Sequence, residues 1–313
     1  MWWKTLLFTW IAVFSAMALV VPVAGTFDAV RARGCGGAPY PVRATIPDPR
    51  AGVHVGNGIA VPAVDRNGNR AMLVFPAQPD GLADGRTYVV RVWADSASRL
   101  FHVASVVSID PLWTFPYIAG LGERARIIFF HVPTAWLSVI AFLVSLWYGV
   151  SYLRRRRGED DALSAASAGL GLLFCLLATA TGSLWAKFNW GSFWNWDPRE
   201  TSIFVLLLVY GAYFALRSAV EDAGKRAVLS AVYGILAFVS VPFFIFIVPR
   251  VLPGLHPGSA DDTGSGPILG GGGIDMGMRV VMYALLVGFT GLFSWMLRLA
   301  DRVHRLEAER GHD

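Results

Sequence analysis

Residues 127–153 read IIFFHVPTAWLSVIAFLVSLWYGVSYL, an uncharged run closed by four arginines, Arg154 to Arg157. A helix crosses the apolar core of a bilayer in about 20 residues at about 1.5 Å each, so this stretch is long enough to span. Five further uncharged runs accompany it: Thr5 to Ala24, Leu163 to Ala186, Thr201 to Leu216, Ala227 to Pro249 and Val280 to Leu297. Six runs predict an all-α polytopic membrane protein with six transmembrane helices. Composition agrees, because 313 residues that are 55% hydrophobic and only 16% charged are too oily for soluble domains. The run from Thr201 is the shortest, about 24 Å as a helix, and needs tryptophans at its ends or a thinned bilayer.

The formal charge of +5 lies in arginine patches between apolar runs and not on one basic face, which excludes a nucleic-acid binder. Charge in short loops sets orientation instead. With the N-terminus inside, the inner segments hold twelve Lys and Arg, from Lys4 through Arg154 to Arg157, Arg217, Lys225 and Arg226 to the C-terminal arginines. The outer short loops hold four: Lys187, Arg199, Arg250 and Arg279. Both termini are therefore expected in the cytoplasm, with residues 299–313 as a cytoplasmic tail. The first run, residues 1–24, is a retained span or, alternatively, a cleaved signal peptide, since Lys4 precedes it and Val23-Ala24-Gly25 ends it with small residues.

Residues 25–121 turn to Pro, Gly, Asp and Arg and read as an aqueous, β-rich periplasmic insert between the first two spans. Ile59 to Val64 and Ala71 to Phe75 flank an Asn67-Gly68 hairpin signal, and Arg86 to Trp93 and Leu100 to Val107 add two β-rich runs. Four strands are expected. His54 and His102 have no ligand spacing and read as structural. Two cysteines, Cys35 and Cys175, supply neither a disulfide framework nor a CxxCH haem-attachment sequence. Cys35 follows arginines, which argues against a lipoprotein site and leaves a free thiol.

The chemistry gathers in the outer loops. Residues 185–200 read WAKFNWGSFWNWDPRE, placing Trp185, Trp190, Trp194 and Trp196 within twelve residues beside Asp197, Arg199 and Glu200. An interfacial aromatic belt accounts for one or two tryptophans per helix end, not four in one loop. A flat aromatic platform fits better, and it suits a large planar ligand whose carboxylate Arg199 meets bidentately. Asp197 and Arg199 could equally pair with each other. If the ligand is porphyrin, its iron needs axial donors, and imidazole is the natural one here. His304 and His312 lie in the tail as solvated side chains. Two histidines remain on the outer side: His131, before Val132-Pro133 where the proline is expected in the first helical turn, and His256, in Leu252-Pro253-Gly254-Leu255-His256-Pro257.

The segment His131-Val132-Pro133-Thr134-Ala135-Trp136-Leu137-Ser138, together with the tryptophan loop, resembles the haem-handling C component of bacterial cytochrome c maturation, the haem exporter protein C family. The resemblance covers residues 122–298, the five-helix haem-handling domain. It implies haem b bound non-covalently and transiently, with His131 and His256 as axial ligands and Trp190, Trp194, Trp196 and Asp197 in the haem-binding motif. It further implies a bacterial inner-membrane protein with the site on the periplasmic side. Expected partners are a periplasmic haem chaperone, the subunits of an ABC transporter and a small single-span subunit. The insert is longer than the family's loop, so its role is not implied.

The leading reading is thus haem binding and delivery without turnover and with no catalytic residue. Trp196-Asp197-Pro198-Arg199-Glu200-Thr201 also resembles the related cytochrome c synthetases, and the alternative is a haem ligase acting on apocytochrome c, which thioether formation by the chain alone would reveal. A transmembrane haem b electron carrier wants histidines at mid-span, and no run has one there. A transporter moving haem through its own spans wants ionisable residues within them, and the runs carry essentially none, His131 standing at a mouth.

Overall fold

The computed structural model describes residues 2–32, 38–76, 83–95, 100–118, 121–256, 259–260 and 274–310. Cys35 and His312 lie outside the described residues. The chain divides into two compact units, residues 16–125 and residues 1–15 with 126–313.

In the first unit the end of helix α1 (Trp2–Val20) leads into β1 (Val23–Ala24), α2 (Phe27–Ala32) and β2 (Tyr40–Thr45). The strands β3 (Val53–Val55), β4 (Gly58–Asp65), β5 (Arg70–Phe75), β6 (Thr87–Ala94), β7 (Phe101–Ile109) and β8 (Phe115–Pro116) follow. Six of them form one sheet in the order β2-β6-β7-β5-β4-β3, and β2 also pairs with β4, so the sheet curls back on itself. The four expected strands are present as β4 to β7. The expectation of four is corrected upward, because β2 carries Pro41 and Arg43 within its pattern and β3 is only three residues long and fully exposed. Val42, Ala44, Val61, Leu73, Phe75, Val90, Val92 and Phe101 fill the interior. His102 stacks on Trp93 at 4.2 Å, and His54 is exposed on β3.

One buried carboxylate organises this sheet. Asp65, 5% exposed, accepts N–H groups of Phe27 at 2.9 Å, Asn67 at 2.9 Å and Asn69 at 3.0 Å, pinning α2 to the β4–β5 turn. Burial pushes its carboxyl up, but these hydrogen bonds and that of the Asn69 side chain outweigh it and hold it below its ordinary value.

The second unit holds the long helices. Among the described residues six helices are long and apolar enough to cross a membrane: Trp2–Val20, Gly122–Arg155, Gly158–Trp190, Pro198–Ala219, Ala223–Val251 and Met276–Glu307. Five of them contain a sequence run and extend beyond it; the first starts before Thr5 but stops at Val20, short of the expected Ala24, because Val23 and Ala24 pair as β1. The short fourth run becomes α5 (Pro198–Ala219), 22 residues or roughly 33 Å, because a capping box at Asp197 and Glu200 starts the helix early. α3 (Ile128–Arg155) begins upstream of the histidine motif, so Pro133 lies inside the helix and not in its first turn, where it was expected. α4 (Gly158–Trp190) follows after a turn in which Arg156 is left-handed, φ +57°. α8 (Met276–Arg310) continues unbroken past Leu297, so residues 299–310 extend the helix, with His304 half-buried.

Close approach replaces hydrophobic driving force between such helices. Ser145 and Ser164 exchange hydrogen bonds to each other's carbonyls, both at 2.9 Å, where α3 meets α4. Phe142 stacks on Tyr210 at 3.5 Å, over Gly171, where a Cβ would strike its ring at 2.5 Å. Gly288 and Gly291 of α8 admit Ile11 and Leu7 of α1, and the Trp10 indole donates to the Ala284 carbonyl at 2.8 Å. Asp161 and Arg217 form a bidentate pair at 2.7 and 3.0 Å between the start of α4 and the end of α5. The opposite ends of those helices are left to build the site.

Replacing Asp65 by Ala strands buried donors on α2 and the turn, a cost of about 1–3 kcal/mol. Amide hydrogen exchange at Phe27, Asn67 and Asn69 should rise while the membrane helices stay protected; unchanged exchange would show that the carboxylate does not hold the turn.

Candidate functional site

The start of α3, the end of α4, the start of α5 and the segment after α7 (Val248–Val251) converge at one end of the helical unit. They enclose a cavity of about 540 Å³, within the range for sites that bury a sizeable organic ligand. His131 and His256 both line it, with Trp136, Gly182, Trp194, Arg199, Glu200, Phe244 and Arg250.

His131 sits in the first turn of α3. Its Nδ1 is 3.0 Å from the Thr181 hydroxyl on α4. That hydroxyl also has the Leu177 carbonyl at 2.8 Å and the Ala178 carbonyl at 3.1 Å as acceptors for its one hydrogen. With the hydrogen given to the helix it offers the imidazole a lone pair, an arrangement that favours Nδ1–H and a bare Nε2. The ring lies against Gly182, where a Cβ would come within 2.9 Å of Cε1.

His256 is held differently, to the same end. Asp197 is the N-cap of α5, 4% exposed, and its Oδ1 accepts the Arg199 backbone N–H at 2.8 Å. The same oxygen is 3.0 Å from His256 Nδ1, and Oδ2 accepts the Leu255 N–H at 2.6 Å. Burial raises the Asp197 carboxyl, but its hydrogen bonds, that of His256 largest among them, more than offset this and hold it down at about 2. An ionised carboxylate is acceptor-only, so His256 Nδ1 carries hydrogen, and in a neutral imidazole the lone pair is then on Nε2. Gly254 fits under Asp197, where a Cβ would meet Oδ2 at 2.7 Å.

The tryptophan segment departs from the expected loop and platform. Trp185 and Trp190 belong to the last turns of α4, and only Gly191 to Asp197 connect it to α5. Gly191 and Trp196 both take left-handed backbone, φ +84° and +56°, so successive indoles turn away from a common plane. Trp185 and Trp190 meet edge-to-face at 82°, as do Trp194 and Trp196 at 89°. Trp194 lines the cavity, Trp190 packs edge-on to His256 at 4.8 Å, Trp185 lies 5.8 Å from the same ring, and Trp196 is exposed. Asp197 spends its oxygens on backbone N–H groups and His256, while the Arg199 side chain faces the cavity.

Several lining residues escaped the sequence reading. Arg250 was counted only as loop charge. Glu200 closes the capping box, its Oε2 accepting the N–H groups of Asn195 at 2.7 Å and Asp197 at 3.3 Å. After α6 (Ala223–Pro242) the backbone widens into a π-turn, Phe243–Ile247, and Phe244, Ile245 and Phe246 of that turn wall the cavity. Prolines 242 and 249 flanking the segment were the available signal, since π-turns collect at functional sites.

A family model described as Heme exporter protein C matches residues 78–312. The chain belongs to that family. It is 33% identical over 172 residues to a Heme exporter protein C of Bradyrhizobium diazoefficiens, covering 55% of this chain and 63% of the relative. It is 34% identical over 226 residues to Heme exporter protein C of Escherichia coli K12, covering 66% and 84%. A mitochondrial protein of Marchantia polymorpha named for cytochrome c biosynthesis is 26% identical over 185 residues, 58% of this chain and 75% of the relative. The matched region begins after β5, so the strands β2 to β5 lie before it.

Asp197→Ala should remove an N-cap worth about 0.5–2 kcal/mol and release the Leu255 and His256 contacts together. Faster exchange of the Leu255 amide, beside unchanged exchange in the middle of α4, is the expected signature; a Leu255 amide as protected as before would contradict the anchoring role.

Proposed function

We propose that the cavity binds haem b non-covalently in cytochrome c maturation, with His131 and His256 as axial ligands through Nε2, and hands it to a periplasmic haem chaperone. The observation that carries this is the placement of two imidazoles on one cavity, each with Nδ1 engaged by a fixed partner. Paired imidazoles are the donors haem iron takes in the absence of thiolate or thioether ligands. Fixing the tautomer through Asp197 and Thr181 raises ligand basicity and orients each ring before the iron arrives.

The remaining lining serves the macrocycle. Trp136, Trp194 and Phe244 offer aromatic surface, and Arg199 and Arg250 offer two guanidinium groups for the two propionates. Trp185 and Trp190 pack against the His256 ring and count as support for the ligand more than as stacking surface. Because neither ligand is covalent to the porphyrin, a partner's donor can displace one and draw the haem off, which suits delivery without turnover. Lys and Arg distribution supports a periplasmic position for this end of the helices; a bacterial inner membrane and a retained α1 complete the reading. The ABC transporter subunits and a small single-span subunit complete the expected assembly.

An absorption spectrum of the detergent-purified protein tests the ligand set. Low-spin bands are expected in the parent, with most of the haem lost in both His131→Ala and His256→Ala; parental haem content in both variants would reject the assignment. Thr181→Val keeps the shape of the side chain and removes the acceptor for His131 Nδ1–H, and a loss of about 10–100-fold in haem affinity is expected. Equal affinity in a titration would show that His131 needs no orienting partner. The ligase reading is separated by product: thioether formation on a CxxCH peptide by this chain alone would replace delivery with catalysis.

A further inference from the structure

The segment Asp110 to Thr114 in the β-rich unit is a short projection clamped at both ends. On one side Asp110, at φ +46°, donates its N–H to the Thr87 carbonyl at 2.7 Å and accepts the Thr87 N–H on Oδ1 at 2.9 Å. On the other, Thr114 is buried and accepts from Arg43 at 3.4 Å, and the Phe115 N–H bonds the Pro22 carbonyl at 2.9 Å. What lies between the clamps is apolar: Leu112 fully exposed, flanked by half-buried Pro111 and Trp113. Leu112 is exposed to 106% of its reference area, more than any other large hydrophobic side chain among the described residues.

Its anchor ties this tip to the end of the first helix. β8 pairs with β1 in parallel, Val23 beside Phe115 and Ala24 beside Pro116. The Phe115 N–H already bonds the carbonyl of Pro22, two residues past Val20, the last residue of α1. Leu112 stands three residues before Phe115, so the tip hangs on a short tether from the chain that leaves α1, where Val20 is 78% exposed and Leu19 60%. Where α1 crosses the bilayer, its end marks the interface.

We propose that Pro111-Leu112-Trp113 dips into the lipid interface beside the end of the first span and fixes the β-rich unit to the bilayer surface. A leucine with a neighbouring indole suits that layer, where apolar bodies are buried and an indole N–H stays within reach of headgroups. The clamps at Asp110 and Thr114 mean the tip is presented already ordered, so insertion carries little cost in chain entropy.

Nitroxide accessibility in the full-length protein, with Cys35→Ser and Cys175→Ala and reconstituted in phospholipid nanodiscs, tests this. A label at Leu112→Cys should show an oxygen-to-nickel accessibility ratio several-fold above that of free label in buffer and close to that of a label at Val13→Cys in the middle of α1. A ratio equal to the buffer value, or shielding from both reagents as at a protein contact, would overturn the proposal. So would a Val13 label that fails to read as lipid, since the interface is located by α1.

Discussion

The Asp197 carboxylate is the constraint on which the rest of the site depends. Two oxygens, 4% exposed as a residue, serve the first turn of α5, the backbone at Leu255 and the Nδ1 of His256 at once. Each partner alone is an ordinary cap or turn contact. Together they oblige a segment more than fifty residues downstream to close over the start of α5, because a buried carboxylate with an unfilled lone pair is far costlier than the ordering of a short loop. Gly254 is the steric condition for it, leaving room for the oxygen that Leu255 reaches.

The facing wall is built on the same principle with weaker groups. Thr181 bonds back to the carbonyl of Leu177, as hydroxyls commonly do within helices, and its spare lone pair receives His131. Gly182 beside it removes the one Cβ that would push the ring away. Asp197 and Thr181 thus do the same chemical job for two histidines on one cavity, one with a charge near a loop, the other with a neutral group on an apolar helix. A second carboxylate at the Thr181 position would need desolvation within a span, which a hydroxyl avoids.

Much of this was legible in the chain. Charge-free runs located all six long helices, since lipid leaves the backbone little choice but helix once a run is long enough. The Asn-Gly turn and the alternating runs around it located β4 to β7. His131, His256, Asp197 and Arg199 stood out because charged and imidazole groups are rare beside such runs. The misreadings have physical sources. Helices grew past the charge-free runs, since Lys187 tolerates a last turn and Asp197 with Glu200 starts a helix early; Trp185 and Trp190 were in consequence assigned to a loop. Strands β2 and β3 were missed because Pro41 and three exposed residues break the usual signal.

By itself, the order of residues determined the membrane class, the number of long helices and the residue types able to meet an iron porphyrin, because those follow from local hydrophobicity and from donor chemistry. Only the tertiary structure decided that the indoles are not coplanar, that one of them lines the cavity while two brace an imidazole, and that Arg250 and the π-turn share the wall. Those facts depend on left-handed backbone at Gly191 and Trp196 and on contacts between segments far apart in the chain. Neither a period nor a spacing encodes them.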